Sequence, residues 1–578
     1  MSRQSFSFKP FLLPIIIVLL YSSFAAQSVL AQDSPANAFF DAVAQAEARM
    51  AAKEWSEAAA LWEKIVRMNP VEGRFWDQLA RAHYNAKDYR KSIPAYEKVI
   101  ELGYGDPANA AYNIACDYAL LGEKEQALRW LEKAFEMKFL NLQHARTDSD
   151  LESLRSDPRY QKLVAIVDTS KMSREEGWRY DLQLLVREIK RRGYNLFPRI
   201  GTEVQFDAEV KKLDGAIPKL TDAQIAVELM KLMRRVGDGH SGLLGSAERQ
   251  EWLQTLPVLF YMFEEGLFVI AADPLHKDLL GRQVVKFGER TVDEVVQAID
   301  TVTSRDNGIW IKQVAPYRMR HLPMMHALGL IPDPTKVTLT LRELDGKELV
   351  VTLATDTRQP NIWNTKPNPP EWLNYSQMLK PPVPLYLKNA ATPYWFEYLP
   401  QEKTVYFQYN SVRNDEKESF AAFSERLFKF INGNDVEKLV IDLRWNNGGN
   451  TFLLTPLVRG LISNEKINRR GHLFVITGRR TYSAAQNAST FFERYTKAIF
   501  VGEPTGSSPN FVGEEDPFLL PYSKILANVS HLYWQSAFPQ DNRTWVAPQI
   551  YVPPTFKAYS ENRDAALEAI LKYRSQAN

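Results

Sequence analysis

Two stretches near the C-terminal end of this 578-residue chain combine residue types that could break an acyl bond. In the first, the apolar run Leu439 to Leu443 ends in Arg444-Trp445-Asn446-Asn447-Gly448-Gly449-Asn450. Paired glycines at a strand end let the backbone turn tightly and present N–H groups that no side chain obstructs. In the second, Leu473 to Thr477 runs into Gly478-Arg479-Arg480-Thr481-Tyr482-Ser483-Ala484-Ala485-Gln486, where a helix is predicted to begin. A serine at that junction lies at the carboxyl edge of a sheet, where sites of α/β folds form. The helix start adds partial positive charge and unused N–H donors for a developing oxyanion. Two roles therefore fit Ser483: a nucleophile facing those donors, or an N-cap, which serine favours in any case.

A serine nucleophile needs a base. His240, in Gly237-Asp238-Gly239-His240-Ser241, follows a helical segment, and its alternative role is that of a loop residue satisfying a turn. His472 is nearer to Ser483 in sequence, but it starts the strand whose far end carries the serine and belongs at the wrong edge of the sheet. Asp238 and Asp442 read as structural acids that fix a turn and a strand end.

These residues are positioned by a chain of several modules, since 578 residues exceed one core. After Pro400, strands and helices alternate (TVYFQYN, KLVIDLRW, HLFVITG and AIFVGEP, with helices between), the pattern of an α/β layer with a largely parallel sheet. Prolines crowd residues 358–400, which read as a stiffened connection. Residues 251–357 are short β runs with an Asp345-Gly346 hairpin turn, a β-rich unit that looks like a PDZ-type module. Residues 169–250 are helical and end at the His240 loop. Upstream, Trp62-Glu63-Lys64, Tyr96-Glu97-Lys98 and Leu131-Glu132-Lys133 recur at spacings of 34 and 35. Residues 32–168 thus resemble tetratricopeptide repeats, a helical array offering a surface for a protein partner.

Four pieces in one order carry a wider resemblance: Gly-Asp-Gly-His-Ser at 237–241, Asp-Leu-Arg-x-Asn-x-Gly-Gly at 442–449, Thr-Tyr-Ser-Ala-Ala at 481–485, and Val-Gly-Glu-Pro-Thr-Gly at 501–506. From about Glu175 to Tyr573 the chain resembles the tail-specific or C-terminal-processing serine peptidases, and among them the tricorn-like branch. The resemblance implies a multidomain fold: the helical array, then an α/β peptidase core of the ClpP/crotonase type (401–578) with the PDZ-like insert. It implies hydrolysis of a peptide or protein substrate through an acyl-enzyme on Ser483, with the N–H groups of Gly449 and Ala484 as oxyanion hole. One branch of the family uses a lysine just after the Gly-Glu-Pro-Thr motif. This chain has Gly506-Ser507-Ser508-Pro509-Asn510 there, and the next lysine, Lys524, follows a turn. The base implied is accordingly His240, with Ser241 assisting and Asp541 as the acid that orients the imidazole. Neither metal nor cofactor is implied. The rival function is a non-catalytic peptide- or ligand-binding scaffold with a peptidase-like core.

Composition narrows the setting. With 71 basic and 69 acidic residues the chain gives no reason to expect a nucleic-acid or anionic-membrane partner. Cys116 is the sole cysteine, so no intramolecular disulfide can form, and its helical apolar context suits a buried small residue. Residues 1–31 read as a signal peptide: Arg3 and Lys9, an apolar run from Phe11 to about Leu20, then Val29-Leu30-Ala31. That run is too short for a stable membrane anchor, which needs ~20 apolar residues, so the expected destination is the periplasm or the medium.

Overall fold

The computed structural model describes residues 35–574 apart from 166, 246–253, 358–371 and 380. The segment expected to be a signal peptide lies outside the described residues, as does much of the proline-rich connection. No described helix is long and apolar enough to cross a membrane. Contacts divide the chain into one unit ending at Ala134 and a second beginning at Phe135.

The described residues of the first unit form helices in succession, Pro35–Ala51, Trp55–Met68, Gly73–Asn85, Tyr89–Glu101, Pro107–Leu120 and most of Lys124–Glu136. Its sequence period has a direct packing cause. Trp62, Tyr96 and Leu131, at equivalent places in the repeat, are all buried, and so are Ala80 and Ala115. Each large residue fills a core between adjacent helices, and each alanine lets backbones approach where a larger side chain would force them apart. Cys116 is buried in the helix Pro107–Leu120.

Among the described residues the second unit holds two large sheets, beside a three-stranded and a two-stranded one. In the six-stranded one the order is Ile550–Tyr551, Ile499–Gly502, Leu473–Thr477, Lys438–Asp442, Thr404–Tyr409, Tyr394–Leu399. All neighbours run parallel except the last pair. The central strands are buried on both faces, which explains their unbroken apolar runs. Phe407, Ile441, Val475 and Phe500 pack beneath the helices Phe420–Gly433, Thr455–Ser463 and Ala484–Tyr495. Val440, Phe474, Ile476 and Val501 face the C-terminal helix Ala565–Lys572.

The other large sheet is antiparallel, in the order Val258–Phe263, Gly266–Ala272, Gln283–Phe287, Lys336–Arg342, Glu348–Ala354. Helices Val292–Asp300, Ile309–Arg318 and Leu322–Ala327 close its core. Helix starts follow the capping rules: Thr221 with Gln224 and Thr291 with Glu294 form capping boxes. The chain is thus a helical N-terminal region followed by a mixed-sheet core.

Candidate active site

Thr477 ends its strand and the chain turns through Gly478 into the helix Ala484–Tyr495. Thr481 pins this turn: its hydroxyl accepts the Gly478 N–H at 3.0 Å and donates to the Leu443 carbonyl at 3.0 Å. Arg479, buried, forks onto Glu503 at 2.6 and 3.0 Å. So restrained, the chain holds Ser483 at φ 53°, ψ −125°, a region an L side chain rarely occupies. Strain of this kind is typically worth ~1–3 kcal/mol and persists only where surroundings over-determine it. The serine hydroxyl makes no cap hydrogen bond. Between Thr481 and Thr490, Ser483 is the one residue that is not buried. The capping role left open by the sequence is therefore not the one Ser483 plays.

The glycine pair packs directly against it. Asn446 shapes the loop, its amide donating to the Tyr409 carbonyl at 2.9 Å while its side-chain oxygen accepts the Gly448 N–H at 2.9 Å. Gly448 and Gly449 take φ of 106° and 135°. A Cβ on Gly448 would lie 2.6 Å from the Ser483 Cβ and 2.9 Å from the Ala484 nitrogen, and one on Gly449 would lie 2.2 Å from the Val412 carbonyl oxygen. Both positions exclude any side chain. Val412 donates to Gly448 and accepts from Asn450, a parallel bridge that turns the Gly449 N–H away from it. Among the described residues, neither the Gly449 nor the Ala484 N–H is spent on a backbone hydrogen bond. Two donors free of backbone hydrogen bonds thus flank a half-buried serine.

His240 reaches the site from the loop behind the helix Asp222–Val236. Asp238 organises that loop, accepting the N–H groups of His240 (3.1 Å) and Ser241 (2.6 Å) and the Ser241 hydroxyl (2.9 Å). The Ser241 oxygen also accepts the Ser530 N–H at 2.9 Å. The Ser241 hydroxyl is occupied in holding the loop. The imidazole lies between Tyr482 and Phe511, with ring centroids at 4.6 and 5.4 Å. Its Nδ1 meets the Tyr482 hydroxyl at 3.1 Å, and its buried Nε2 makes no well-formed hydrogen bond. Burial lowers its pKa to about 4, the Val512 backbone opposing in part, so the ring is neutral at pH 7. His240 is brought to the residue beside Ser483, and no hydrogen bond joins the two side chains.

Asp541 is placed elsewhere. Its carboxylate takes the Arg543 N–H at 3.1 Å and the Arg543 guanidinium at 2.7 Å, and no hydrogen bond links it to His240. The Arg543 fork, shared with Glu493, holds the acid below the usual carboxylate range. The group found on the imidazole is instead a phenol, Tyr482. Asp442 does mark a strand end, pairing with Arg444 at 2.9 Å and with the Tyr406 hydroxyl at 2.6 Å. His472 bonds the Glu437 carbonyl at 2.7 Å, at the opposite end of its strand from Ser483.

A further, half-buried acid escapes sequence reasoning. Asp306 lies behind the His240 loop, and burial pushes its pKa up to about 6 against the opposing pull of the Ser507 hydroxyl. No motif surrounds it, so only tertiary structure reveals it.

No family model matches the sequence, and no curated protein matches it. Solved structures resembling the chain include mature CPAF complexed with lactacystin, at 11% identity and TM-score 0.48 over 68% of this chain and 97% of that one. The photosystem II D1 C-terminal processing protease is 14% identical, with TM-score 0.33 over 68% and 96%. The tricorn protease is 13% identical, with TM-score 0.31 over 70% of this chain and 37% of that one. At such identities, and with TM-scores below 0.5, these likenesses transfer no residue role to this chain.

Proposed function

We propose that the chain is a serine peptidase that cleaves peptide bonds through an acyl-enzyme on Ser483. The observation that carries the reading is a strained, uncapped, half-buried serine beside two N–H groups that no backbone hydrogen bond uses, across a glycine pair. In the reaction the Ser483 oxygen attacks the carbonyl carbon and its proton passes to neutral His240. The oxyanion is held by Gly449 and Ala484, each donor being worth ~3–4 kcal/mol to such a transition state. Collapse expels the amine, which takes the proton from His240. Water, deprotonated by the same imidazole, then releases the acid and restores the serine. His240 rests against Tyr482, so substrate must draw it onto the Ser483 hydroxyl; catalytic hydrogen bonds often tighten only in the complex.

A peptide substrate is supported by the strand Gly242–Gly245, just beyond His240. It is an end strand of a three-stranded sheet, with Leu244 exposed, so an extended chain could pair with its backbone. Export to the periplasm or medium, resting on residues 1–31, and a protein partner for the helical repeats belong to the same proposal. The test is labelling with a fluorophosphonate probe and mapping of the modified residue. Modification at Ser483, absent in Ser483→Ala, is expected. A folded protein that neither labels nor hydrolyses casein would instead be a binding scaffold.

A further inference from the structure

A turn outside every sequence motif reaches three loops of the candidate site at once. Residues 305–307 follow the helix Val292–Asp300 and precede Ile309–Arg318, both packed on the antiparallel sheet. Asp306 accepts the Gly239 N–H on one carboxylate oxygen at 2.7 Å, and the Ser507 hydroxyl donates to the other. Asn307 donates to the carbonyls of Thr505 (3.1 Å) and Thr544 (2.6 Å). Its side-chain oxygen accepts the N–H of Ile309 at 2.9 Å and so anchors the start of the following helix. Trp310, in that helix, stacks on Tyr482 at 4.2 Å, and Tyr482 in turn stacks on His240.

Gly239 is the keystone of this contact. A Cβ there would fall 2.2 Å from the Tyr482 hydroxyl and 3.3 Å from the Asp306 nitrogen, so the backbone before His240 is pressed between the two. The charged groups around Asp306 are Asp238, buried beneath the same loop, and Arg199, which reaches Asp238 at 3.7 Å. A half-buried carboxylate beside a buried one opposes folding unless its hydrogen bonds serve the structure. Here both are spent on segments that border Ser483 and His240.

We infer that Asp306 is a positioning residue for the reaction, fixing the Gly239–His240 backbone against the Ser507 loop so that the imidazole meets Ser483 in register. The inference rests on the reading of Ser483 and His240 as nucleophile and base. It assigns to a turn of the sheet module a role in the chemistry of the six-stranded core. Displacements near 1 Å at a reacting group can slow chemistry by ~100-fold.

The test measures kinact and KI of the full chain with a fluorophosphonate probe, beside thermal unfolding. Asp306→Ala is expected to lower kinact by about 10- to 100-fold with KI within twofold. Asp306→Asn should restore at least a third of the wild-type rate, because its oxygen still accepts the Gly239 N–H and its amide can donate to Ser507. Ser507→Ala should lose about threefold to tenfold, and the Asp306→Ala, Ser507→Ala double variant should be no slower than Asp306→Ala, since both act through one tie. A folded Asp306→Ala that labels at the wild-type rate, or one changed only in KI, overturns the inference. Should Asp306→Ala fail to fold, Ser507→Ala decides: a loss confined to kinact supports the tie, and a wild-type rate overturns it. A wild-type protein that does not label overturns the reading of the site itself, and the inference with it.

Discussion

Ser483, Ala484, Gly448 and Gly449 come from neighbouring strand ends of one sheet and pack at van der Waals distance, whereas His240 arrives from a loop 242 residues before Tyr482 and meets that tyrosine instead of the serine. The first half of the site is finished in the resting chain. Its strain, its glycine approaches and its unspent donors are all local consequences of two strand-to-helix turns. The second half is a docked assembly, dependent on Asp238, Asp306, Tyr482 and Phe511 from separate segments. On the proposed reading, such a site holds its oxyanion geometry constant while its base is adjusted by whatever moves the docked loop.

The difference is broken most severely by removing the proposed nucleophile. Ser483→Ala should reduce turnover by at least ~10⁴-fold while leaving the fold intact. Ser483→Gly should be equally inactive yet more stable than Ser483→Ala by about 1 kcal/mol, because the strain glycine relieves at φ 53° exceeds the extra entropy it loses on folding. Chemical denaturation of the two variants checks this. Equal midpoints would mean that the strain is not stored there.

Next in size is the glycine pair. Gly448→Ala places a methyl 2.6 Å from the Ser483 Cβ, so either the serine turn or the loop must shift. Loss of one oxyanion donor costs about 10²- to 10³-fold in rate, and a loss of that order is expected with KM little changed. Gly449→Ala meets backbone, the Val412 carbonyl at 2.2 Å, and should additionally lower stability. Wild-type turnover in Gly448→Ala would remove the oxyanion assignment.

How much of this could be read in the sequence divides along the same line. The glycine pair, the serine at a helix start and the exclusion of His472 follow from local patterns, because a strand, a turn and a helix are specified by adjacent residues. Asp541 was expected on the imidazole, but Arg543 lies two residues away and captures its carboxylate, an effect of side-chain geometry that spacing does not reveal. Ser241 was expected to assist, yet its hydroxyl is committed to Asp238 and Ser530. Tyr482 and Asp306 were missed altogether: one is a neighbour of the serine with no motif value, the other stands on a module that carried no chemical signal. The helical character of the N-terminal region was legible because apolar residues such as Trp62, Tyr96 and Leu131, which the fold buries, recur there at a fixed spacing.

A pH profile sharpens the second half. An exposed histidine would titrate near ~6.5, and the sequence alone suggests an inflection there. Burial instead lowers His240 to about 4. With the neutral ring as the proposed proton acceptor, labelling of Ser483 should persist through pH 5 and fall as pH drops through about 4. Asp306, at about 6, titrates inside that range. Its protonated form still accepts the Gly239 N–H and can donate to Ser507, so no large step is expected from it. Stability follows the same sign: below ~6.5 the unfolded chain binds a proton that buried His240 refuses, so its contribution is present above ~6.5 and lost as pH falls to about 4. Half-maximal labelling near 6.5 would mean that the ring works from a solvated position, outside the Tyr482–Phe511 sandwich.

The smallest expected effect is the most discriminating one for the acid. Asp541→Asn removes a charge held by Arg543, whose side chain is 47% exposed and also paired with Glu493. Exposed pairs of this kind contribute ~0–1 kcal/mol, so stability should change by less than ~1 kcal/mol. Turnover should stay within about twofold of wild type, because the imidazole nitrogen that an acid would orient is already met by the Tyr482 hydroxyl at 3.1 Å. Tyr482→Phe supplies the contrast. It keeps the ring stack and deletes only the hydroxyl, so its loss of turnover should exceed that of Asp541→Asn. Should the order be reversed, with Asp541→Asn losing tenfold or more and Tyr482→Phe unchanged, the segment bearing Asp541 must swing onto His240 when substrate binds. The docked half of the site would then contain one more moving part than the resting structure holds in place.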